Sequence, residues 1–196
     1  MVKKKIGLYF GSFNPIHVGH LIIANYFVEY ADIDQLWFVV SPQSPFKTNI
    51  NLLPEYQRLE LVHLAIEEDF RFRASDIEFT LDKPNYTVRT LVYLDEKYPD
   101  YDFTLLMGSD QMPHFTKWKN YETILEYYKI LVYERPDFPP ETSELSKHPN
   151  ITFVKAPLME ISSSFIRKSI KEGKDMRYML PSKVYKYINE MHFYEK

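Results

Sequence analysis

The chain has 196 residues, of which 45% are hydrophobic and 26% charged, and this composition predicts one globular domain with a well-buried core and excludes a largely disordered chain. A formal net charge of −3 argues against the basic surface of a nucleic-acid-binding protein. The absence of cysteine excludes disulfides, a thiolate nucleophile and cysteine-ligated zinc, and it favours a reducing, cytoplasmic location.

The apolar pattern alternates strands with helices along the chain. In chain order it predicts a strand at Lys5–Phe10, a helix at Gly19–Tyr30, a strand at Leu36–Val40, a helix opened by Pro54, weaker strands at Phe70–Phe72 and Ile77–Phe79, a helix at Val88–Tyr98, strands at Phe103–Met107, Ile130–Tyr133 and Ile151–Val154, and helices at Ser162–Lys171 and Pro181–Met191. The proline-rich stretch Arg135–Asn150 predicts a surface loop, either a passive connector or a substrate lid. The alternation predicts a doubly wound α/β fold with a parallel sheet, as a single domain over residues 1–196, with ligands at the carboxyl ends of the strands.

The loop between the first strand and the first helix, GSFNPIHVGH at residues 11–20, carries the strongest signal. Gly11 and Gly19 let the backbone approach a ligand closely, and the start of the helix directs unpaired N–H groups towards an anion. His17 and His20 lie three residues apart, so that both can donate to one phosphate chain. A metal-binding pair is the alternative, but neither an HExxH pattern nor a third ligand accompanies them.

A second candidate anion site is the stretch ISSSFIR at residues 161–167. Ser162 is a plausible N-cap, which places hydroxyl groups and unpaired N–H groups at the start of a helix. Arg167 lies one turn beyond Ser163 on the same helical face. The stretch therefore predicts a second phosphate-binding segment near the other end of the chain.

Together these two motifs resemble those of the nicotinate-nucleotide adenylyltransferases, which carry GG[ST]FDPxHxGH and ISSTxIR and belong to the HxGH nucleotidyltransferase superfamily with a Rossmann-like fold. The resemblance implies that His17 and His20 contact the phosphates of ATP, and that Arg167 and the neighbouring serines bind its β- and γ-phosphates. With a Gly-x-Asp stretch after the Phe103–Met107 strand, it implies these ATP-binding residues: Gly11, Ser12, Phe13, Gly19, Gly108, Asp110, Ile161, Ser162, Ser163 and Ser164.

Further stretches match the family in the same order along the chain. Ser44–Lys47 falls where the family carries PPHK, which implies that Lys47 reaches the reacting phosphates. Asn85, Tyr86 and Thr87 resemble part of a PSYT motif, and Trp118 resembles the aromatic residue that contacts the pyridine ring. Tyr86 and Trp118 remain equally compatible with core packing in a chain so rich in aromatic residues. Tyr178–Pro181 resembles a terminal YLP motif.

Four positions depart from the family pattern. Phe10 replaces the first glycine, Asn14 the usual aspartate, Phe46 the histidine, and Arg89 an aspartate often found near the PSYT motif. We expect Phe10 and Asn14 to matter little, because the loop works chiefly through its backbone. Arg89 bears on the acceptor site more than on the ATP site.

The implied activity is transfer of the adenylyl group of ATP to nicotinate mononucleotide, with release of pyrophosphate, in NAD biosynthesis. In-line transfer needs positioning and charge stabilisation rather than a nucleophilic side chain. Mg²⁺ is expected to bind mainly through ATP phosphates, without a dedicated protein metal site. Nicotinamide mononucleotide or phosphopantetheine as the acceptor, and a non-catalytic nucleotide-binding protein, remain alternatives. No nucleic-acid or membrane partner is expected, and a homo-oligomer is left open.

Overall fold

The computed structural model describes residues 2–42, 52–136, 138–139 and 144–196. A six-stranded parallel sheet with strand order β3-β2-β1-β4-β5-β6 forms its centre. The strands are β1 (Lys4–Gly11), β2 (Gln35–Val40), β3 (Phe72–Ser75), β4 (Tyr101–Gly108), β5 (Lys129–Tyr133) and β6 (Ile151–Val154). The order is that of a doubly wound fold, so the predicted fold class is confirmed.

Seven α-helices lie in the described part of the chain, and most of them pack on the two faces of the sheet. They are α1 (Val18–Tyr30), α2 (Glu55–Ile66), α3 (Thr87–Lys97), α4 (Met112–Phe115), α5 (Tyr121–Tyr127), α6 (Ser163–Lys171) and α7 (Ser182–Glu190). One buried cluster joins α1, α2, α6 and α7 to one face of the sheet, and a second joins α3, α4 and α5 to the other. Alternate residues of the central strands face opposite clusters: in β1, Tyr9 packs in the first, and Ile6 and Leu8 pack in the second. No helix in the described ranges is long and apolar enough to cross a membrane.

The sequence misplaced the weaker elements. Residues Ile77–Phe79 form a short 3₁₀ helix rather than a strand, because Glu78 turns inward and accepts a hydrogen bond from Thr90 Oγ1 (2.8 Å). β3 begins at Phe72, whereas Phe70 is 92% exposed. Short apolar runs of this length do not distinguish a strand from a turn.

Two further regions contain short helices that the apolar pattern does not reveal. Helices α4 and α5 lie between β4 and β5, where no element was predicted. A 3₁₀ helix at Glu144–Lys147 lies within the predicted Arg135–Asn150 loop.

The reversal of winding between β1 and β4 positions the site. These strands are parallel neighbours at the centre of the sheet, with Tyr9 beside Leu106. The chain leaves β1 for a helix on one face and leaves β4 for helices on the other, so a crevice opens at their carboxyl ends.

Candidate active site

A cavity of about 700 Å³ opens at the carboxyl ends of β1 and β4. The loop after β1, the end of β4 and the start of α6 contribute to its walls, together with the segment before α3 and the residues after α4. The predicted residues that line it are Gly11, Ser12, Phe13, His17, Gly19, His20, Asn85, Tyr86, Thr87, Gly108, Asp110, Trp118, Ile161, Ser162, Ser163, Ser164 and Arg167. Folding thus brings the two predicted phosphate-binding motifs, which lie far apart in the sequence, to one cavity.

The two histidines stack at the start of α1. His17 precedes the helix in an extended conformation, and its N–H donates to His20 Nδ1 (3.2 Å). The two ring centres lie 3.7 Å apart. The rings of Tyr9 and Phe13 contact the His20 ring in edge-to-face geometry, with distances between ring centres of 6.0 and 5.2 Å. The aromatic support fixes His20 in the cavity wall.

Both imidazoles are neutral near pH 7. Burial, with help from the positive charge of Arg135, lowers the pKa of His17 to about 4. Burial, His17 and Arg135 together place the pKa of His20 well below its ordinary value. His17 Nδ1 is buried without a hydrogen-bond partner among the described residues. Each ring therefore has one N–H to donate, which suits contact with an anion.

The amide groups at the start of α1 are not all available to a ligand. The Val18 N–H donates to the carbonyl of Met179 (3.1 Å), a residue of the YLP-like stretch. That stretch thus packs against the start of α1, and it occupies the Val18 N–H, which is therefore not free to bind a ligand.

Helix α6 brings the second predicted motif to the same loop. Ser162 Oγ accepts from the Phe165 N–H (3.2 Å), so Ser162 is the N-cap that the sequence predicts. Ser163 Oγ donates to the Pro15 carbonyl (2.9 Å), and Arg167 Nη1 donates to the Asn14 carbonyl (2.7 Å). The starts of α1 and α6 therefore converge on one wall of the cavity, where their dipoles favour negative charge.

The far end of the cavity is formed by the start of α3 and the residues after α4. Tyr86 precedes α3, and Thr87 is its first residue. Lys119 Nζ lies 4.7 Å from the centre of the Tyr86 ring, and the Arg89 guanidinium lies 5.8 Å from it. Trp118 packs on Phe115 and also lines the cavity, so core packing and exposure to the cavity coexist, and its contact with a pyridine ring stays a prediction.

Comparisons with known proteins agree with this geometry. Residues 8–169 match the family model described as cytidylyltransferase-like. The chain is 54% identical to the probable nicotinate-nucleotide adenylyltransferase of Flavobacterium johnsoniae, over 98% of this chain and all of that protein. It is 48% identical to the protein of the same name from Bacteroides thetaiotaomicron, over 96% and 92% of the two chains. The chain belongs to the nicotinate-nucleotide adenylyltransferase family.

Solved structures show the same fold. The chain matches a Plasmodium falciparum nicotinic acid mononucleotide adenylyltransferase complexed with NaAD, with a TM-score of 0.82, 22% identity and 98% of both chains covered. A putative nicotinate-nucleotide adenylyltransferase from Vibrio parahaemolyticus matches with a TM-score of 0.71 and 23% identity, over 95% and 99% of the two chains. These structures confirm the predicted fold, and the relatives at about 50% identity confirm the predicted family and class of enzyme.

Asn14, where the adenylyltransferase family usually carries aspartate, is more than a backbone position. It is 1% exposed, and its Oδ1 accepts from the Tyr194 hydroxyl (2.8 Å) and from the Leu53 N–H (3.3 Å). Its carbonyl accepts from Arg167. The side chain of Asn14 thus joins the loop to the C-terminal segment, and it does so through an acceptor oxygen that aspartate also has. The expectation that the replacement itself matters little stays a prediction. Phe10 is partly buried beside the cavity.

Three charged residues that line this family member's cavity were missed by sequence reasoning. Arg135 follows β5, its Nη1 donates to the Met159 carbonyl (3.3 Å), and its Nε lies 3.9 Å from Asp110 Oδ1. Glu78 is a buried carboxylate, and burial raises its pKa. Lys119 follows Trp118. Arg135 lies two residues after the end of the buried strand β5, and this position at the carboxyl end of the sheet is a signal that could have identified it.

Asn85 anchors the segment before α3. Its Nδ2 donates to the Glu78 carbonyl (2.8 Å), while its Oδ1 is buried without a partner among the described residues. Lys47, with the Ser44–Lys47 match and Phe46, lies outside the described residues. Its role as a phosphate contact stays a prediction.

Proposed function

We propose that this chain transfers the adenylyl group of ATP to nicotinate mononucleotide, forming nicotinate adenine dinucleotide and pyrophosphate. The observation that carries the proposal is that the two motifs expected to bind phosphate, at the starts of α1 and α6, converge on one cavity. The same cavity is also lined by aromatic and basic side chains, including Tyr86 and Lys119. The relatives at about 50% identity, named as probable nicotinate-nucleotide adenylyltransferases, support it.

On the ATP side, the residues would stabilise charge rather than form a covalent intermediate. Attack by the acceptor phosphate on the α-phosphorus spreads negative charge over the phosphate oxygens. The imidazole N–H groups of His17 and His20 and the guanidinium of Arg167, which line the cavity, would donate hydrogen bonds to those oxygens. Arg167 already bonds the Asn14 carbonyl, which holds its guanidinium against the loop before ATP arrives. Lys47 would add a further positive charge.

We propose that a divalent ion, Mg²⁺, accompanies ATP and is bound chiefly by phosphate oxygens. Asp110 is the carboxylate that the cavity presents at the end of β4, where Gln111 Nε2 donates to its Oδ2 (3.0 Å). Glu78 also lines the cavity, but its Oε1 is engaged by Thr90. One oxygen-bearing side chain suits an ion that keeps most of its ligands from water and substrate. The ion would neutralise charge on the leaving pyrophosphate.

On the acceptor side, we propose that the start of α3 recognises the nicotinate carboxylate while Tyr86 and Trp118 hold the pyridine ring. The first amides of a helix have no earlier helical carbonyl to bond, and the dipole favours an anion there. Lys119 and Arg89 add two positive charges around Tyr86. Two hydrogen bonds to a charged group contribute about 1.5–3 kcal/mol each, so the acid should be preferred to the amide by roughly 100-fold or more.

The deciding experiment measures pyrophosphate release with ATP and each of three acceptors: nicotinate mononucleotide, nicotinamide mononucleotide and phosphopantetheine. The proposal expects the highest kcat/KM with nicotinate mononucleotide. A ratio near one for the two mononucleotides would remove the carboxylate site from the start of α3. ATP binding without pyrophosphate release from any acceptor would favour a non-catalytic binding protein.

We also propose that the chain acts as one domain. Its C-terminal segment packs back on the first half through the ion pairs of Lys183 with Glu67 and Glu68 and through the bond from Tyr194 to Asn14. The cytoplasmic location and the absence of a nucleic-acid partner stay predictions, and an oligomeric state is left open.

A further inference from the structure

Arg58 is a buried cation beneath the candidate active site. It lies in the first half of α2 and is 1% exposed, although arginine is almost never fully buried without a charged partner. It forms no ion pair with a carboxylate in the part of the chain that the structure describes, and the neighbouring Glu55 pairs instead with Lys83. Its charge is met by backbone carbonyl groups.

The guanidinium of Arg58 binds four carbonyl oxygens. Nη1 donates to Ser12 (2.7 Å) and Ser41 (2.8 Å), Nη2 donates to Pro42 (2.9 Å), and Nε donates to Leu53 (2.9 Å). These oxygens belong to three separate segments: the loop after β1, the residues after β2, and the lead-in to α2. One side chain thus joins the carboxyl-end loops of two adjacent strands.

Hydrogen bonds link Arg58 indirectly to the cavity wall formed by the starts of α1 and α6. Leu53, whose carbonyl accepts from Arg58, donates its N–H to Asn14 Oδ1 (3.3 Å). The Asn14 carbonyl in turn accepts from Arg167 (2.7 Å). Ser12, which Arg58 binds directly, lines the cavity itself. Arg58 does not line the cavity, so its effect on substrate must pass through these backbone groups.

Burial of a cation without a counter-ion is a poor way to gain stability. Removing a guanidinium from water costs several kcal/mol, and similar volumes of apolar side chain often stabilise a core better. Four carbonyl bonds in a rigid fork nevertheless hold three segments in fixed relative positions, which a neutral side chain does not do. The arrangement therefore suits a site whose loops must be set before substrate binds.

We propose that Arg58 is a positioning residue for the ATP site. It fixes the Ser12–Asn14 loop, and through Leu53 and Asn14 it sets the place of Arg167. The carbonyls that it binds at Pro42 and Leu53 also lie on either side, in sequence, of the stretch that carries Lys47. The inference deepens the proposed function and rests on it, because the site that Arg58 sets is the one assigned to ATP.

The test compares Arg58→Met with Val62→Ala, a cavity-forming substitution one turn further along α2 that leaves the carbonyl bonds intact. Arg58→Met keeps most of the side-chain volume and removes all four hydrogen bonds to the carbonyl groups. Melting temperature, binding of a non-hydrolysable ATP analogue by calorimetry, and kcat and KM for each substrate are measured for both variants. Arg58→Met should lose about 100-fold in kcat/KM for ATP, the cost of a small misplacement of groups that position a substrate.

The pattern of the loss distinguishes positioning from stability. Analogue affinity should fall with kcat/KM for ATP, while KM for the acceptor changes far less, and Val62→Ala should keep near-wild-type kinetics at a similar melting temperature. Arg58→Lys should be intermediate, because an ammonium lacks the fork and has three donors. Ethylguanidinium, which replaces the atoms lost in Arg58→Ala, should restore part of the activity.

Equal kinetics for Arg58→Met and Val62→Ala at equal stability, or wild-type analogue affinity in Arg58→Met, would overturn the inference. If Arg58→Met does not fold, Arg58→Lys decides, and wild-type kcat/KM in that variant overturns it. Failure of the proposed function would look different, since the wild-type protein itself would then release no pyrophosphate from ATP with nicotinate mononucleotide as the acceptor.

Discussion

The low pKa of His17 makes the stability of the nucleotide-free protein dependent on pH. In the unfolded chain His17 protonates around its ordinary pKa of 6.5, whereas in the folded protein it stays neutral down to about 4. Below pH 6.5 the unfolded state therefore binds more protons than the folded state, and the free energy of unfolding falls. The loss begins as the pH drops through 6.5 and is complete below about 4.

The magnitude follows from the two pKa values. Each pKa unit corresponds to about 1.4 kcal/mol, so the full contribution of His17 is about 3 kcal/mol. At pH 5 the unfolded form is almost fully protonated and the folded form is almost neutral, which gives about 2 kcal/mol by the same linkage relation. His17 is 4% exposed, so solvent does little to screen this effect. A typical domain has only about 5–15 kcal/mol to lose.

Urea unfolding at pH 7.5 and pH 5, without nucleotide, measures the effect. Carboxylates contribute to the pH dependence of every variant, so the informative quantity is the difference between the wild type and His17→Gln. The wild type should lose about 2 kcal/mol more between the two pH values than His17→Gln does. His114→Gln, an exposed histidine on α4, is the matched control and should behave as the wild type. Equal losses in the wild type and His17→Gln would refute the buried, neutral state of His17.

Three further predictions concern catalysis. His20→Ala should keep the fold and lose roughly 10²–10³ in kcat, because it removes a donor to charge that grows in the transition state; a folded variant with wild-type turnover would contradict this role. Arg167→Lys should raise the KM for ATP, since lysine lacks the planar fork, and unchanged ATP kinetics would remove Arg167 from the phosphate site. Lys119→Met should lower the kcat/KM ratio of the acid to the amide mononucleotide, whereas Lys117→Met, an exposed lysine two residues away, should leave it unchanged; an unaltered ratio in Lys119→Met would exclude Lys119 from acceptor recognition.

The short 3₁₀ helix at Ile77–Phe79 shows why part of the fold escaped sequence reasoning. Its apolar–polar–apolar pattern is that of a strand, yet Glu78 is 3% exposed and bonded to Thr90. Periodicity assumes that the polar residue of such a pattern faces water. A partner twelve positions away in sequence supplied the hydrogen bond that made its burial possible.

The central strands, the longer helices and the two candidate phosphate-binding motifs can be recognised in the sequence alone. Each of these depends on neighbours a few residues away: the continuous apolar runs of β1 and β4, the loop between the glycines at the end of β1 and the start of α1, and the serine that caps α6. Local patterns of this kind are visible because helix and strand periods and caps are short-range properties. The order of the motifs along the chain then identified the family.

Which other groups surround the site can be seen only after the chain has folded. Arg58 binds Ser12 across 46 positions, and Arg167 binds Asn14 across 153. Arg135 and Lys119 reach the cavity from segments whose local sequence carries no motif. An isolated arginine or lysine in a sequence looks like a solvated surface residue. Its chemistry is set by the carbonyls, rings and charges around it, and those come from distant segments that meet only when the sheet is assembled.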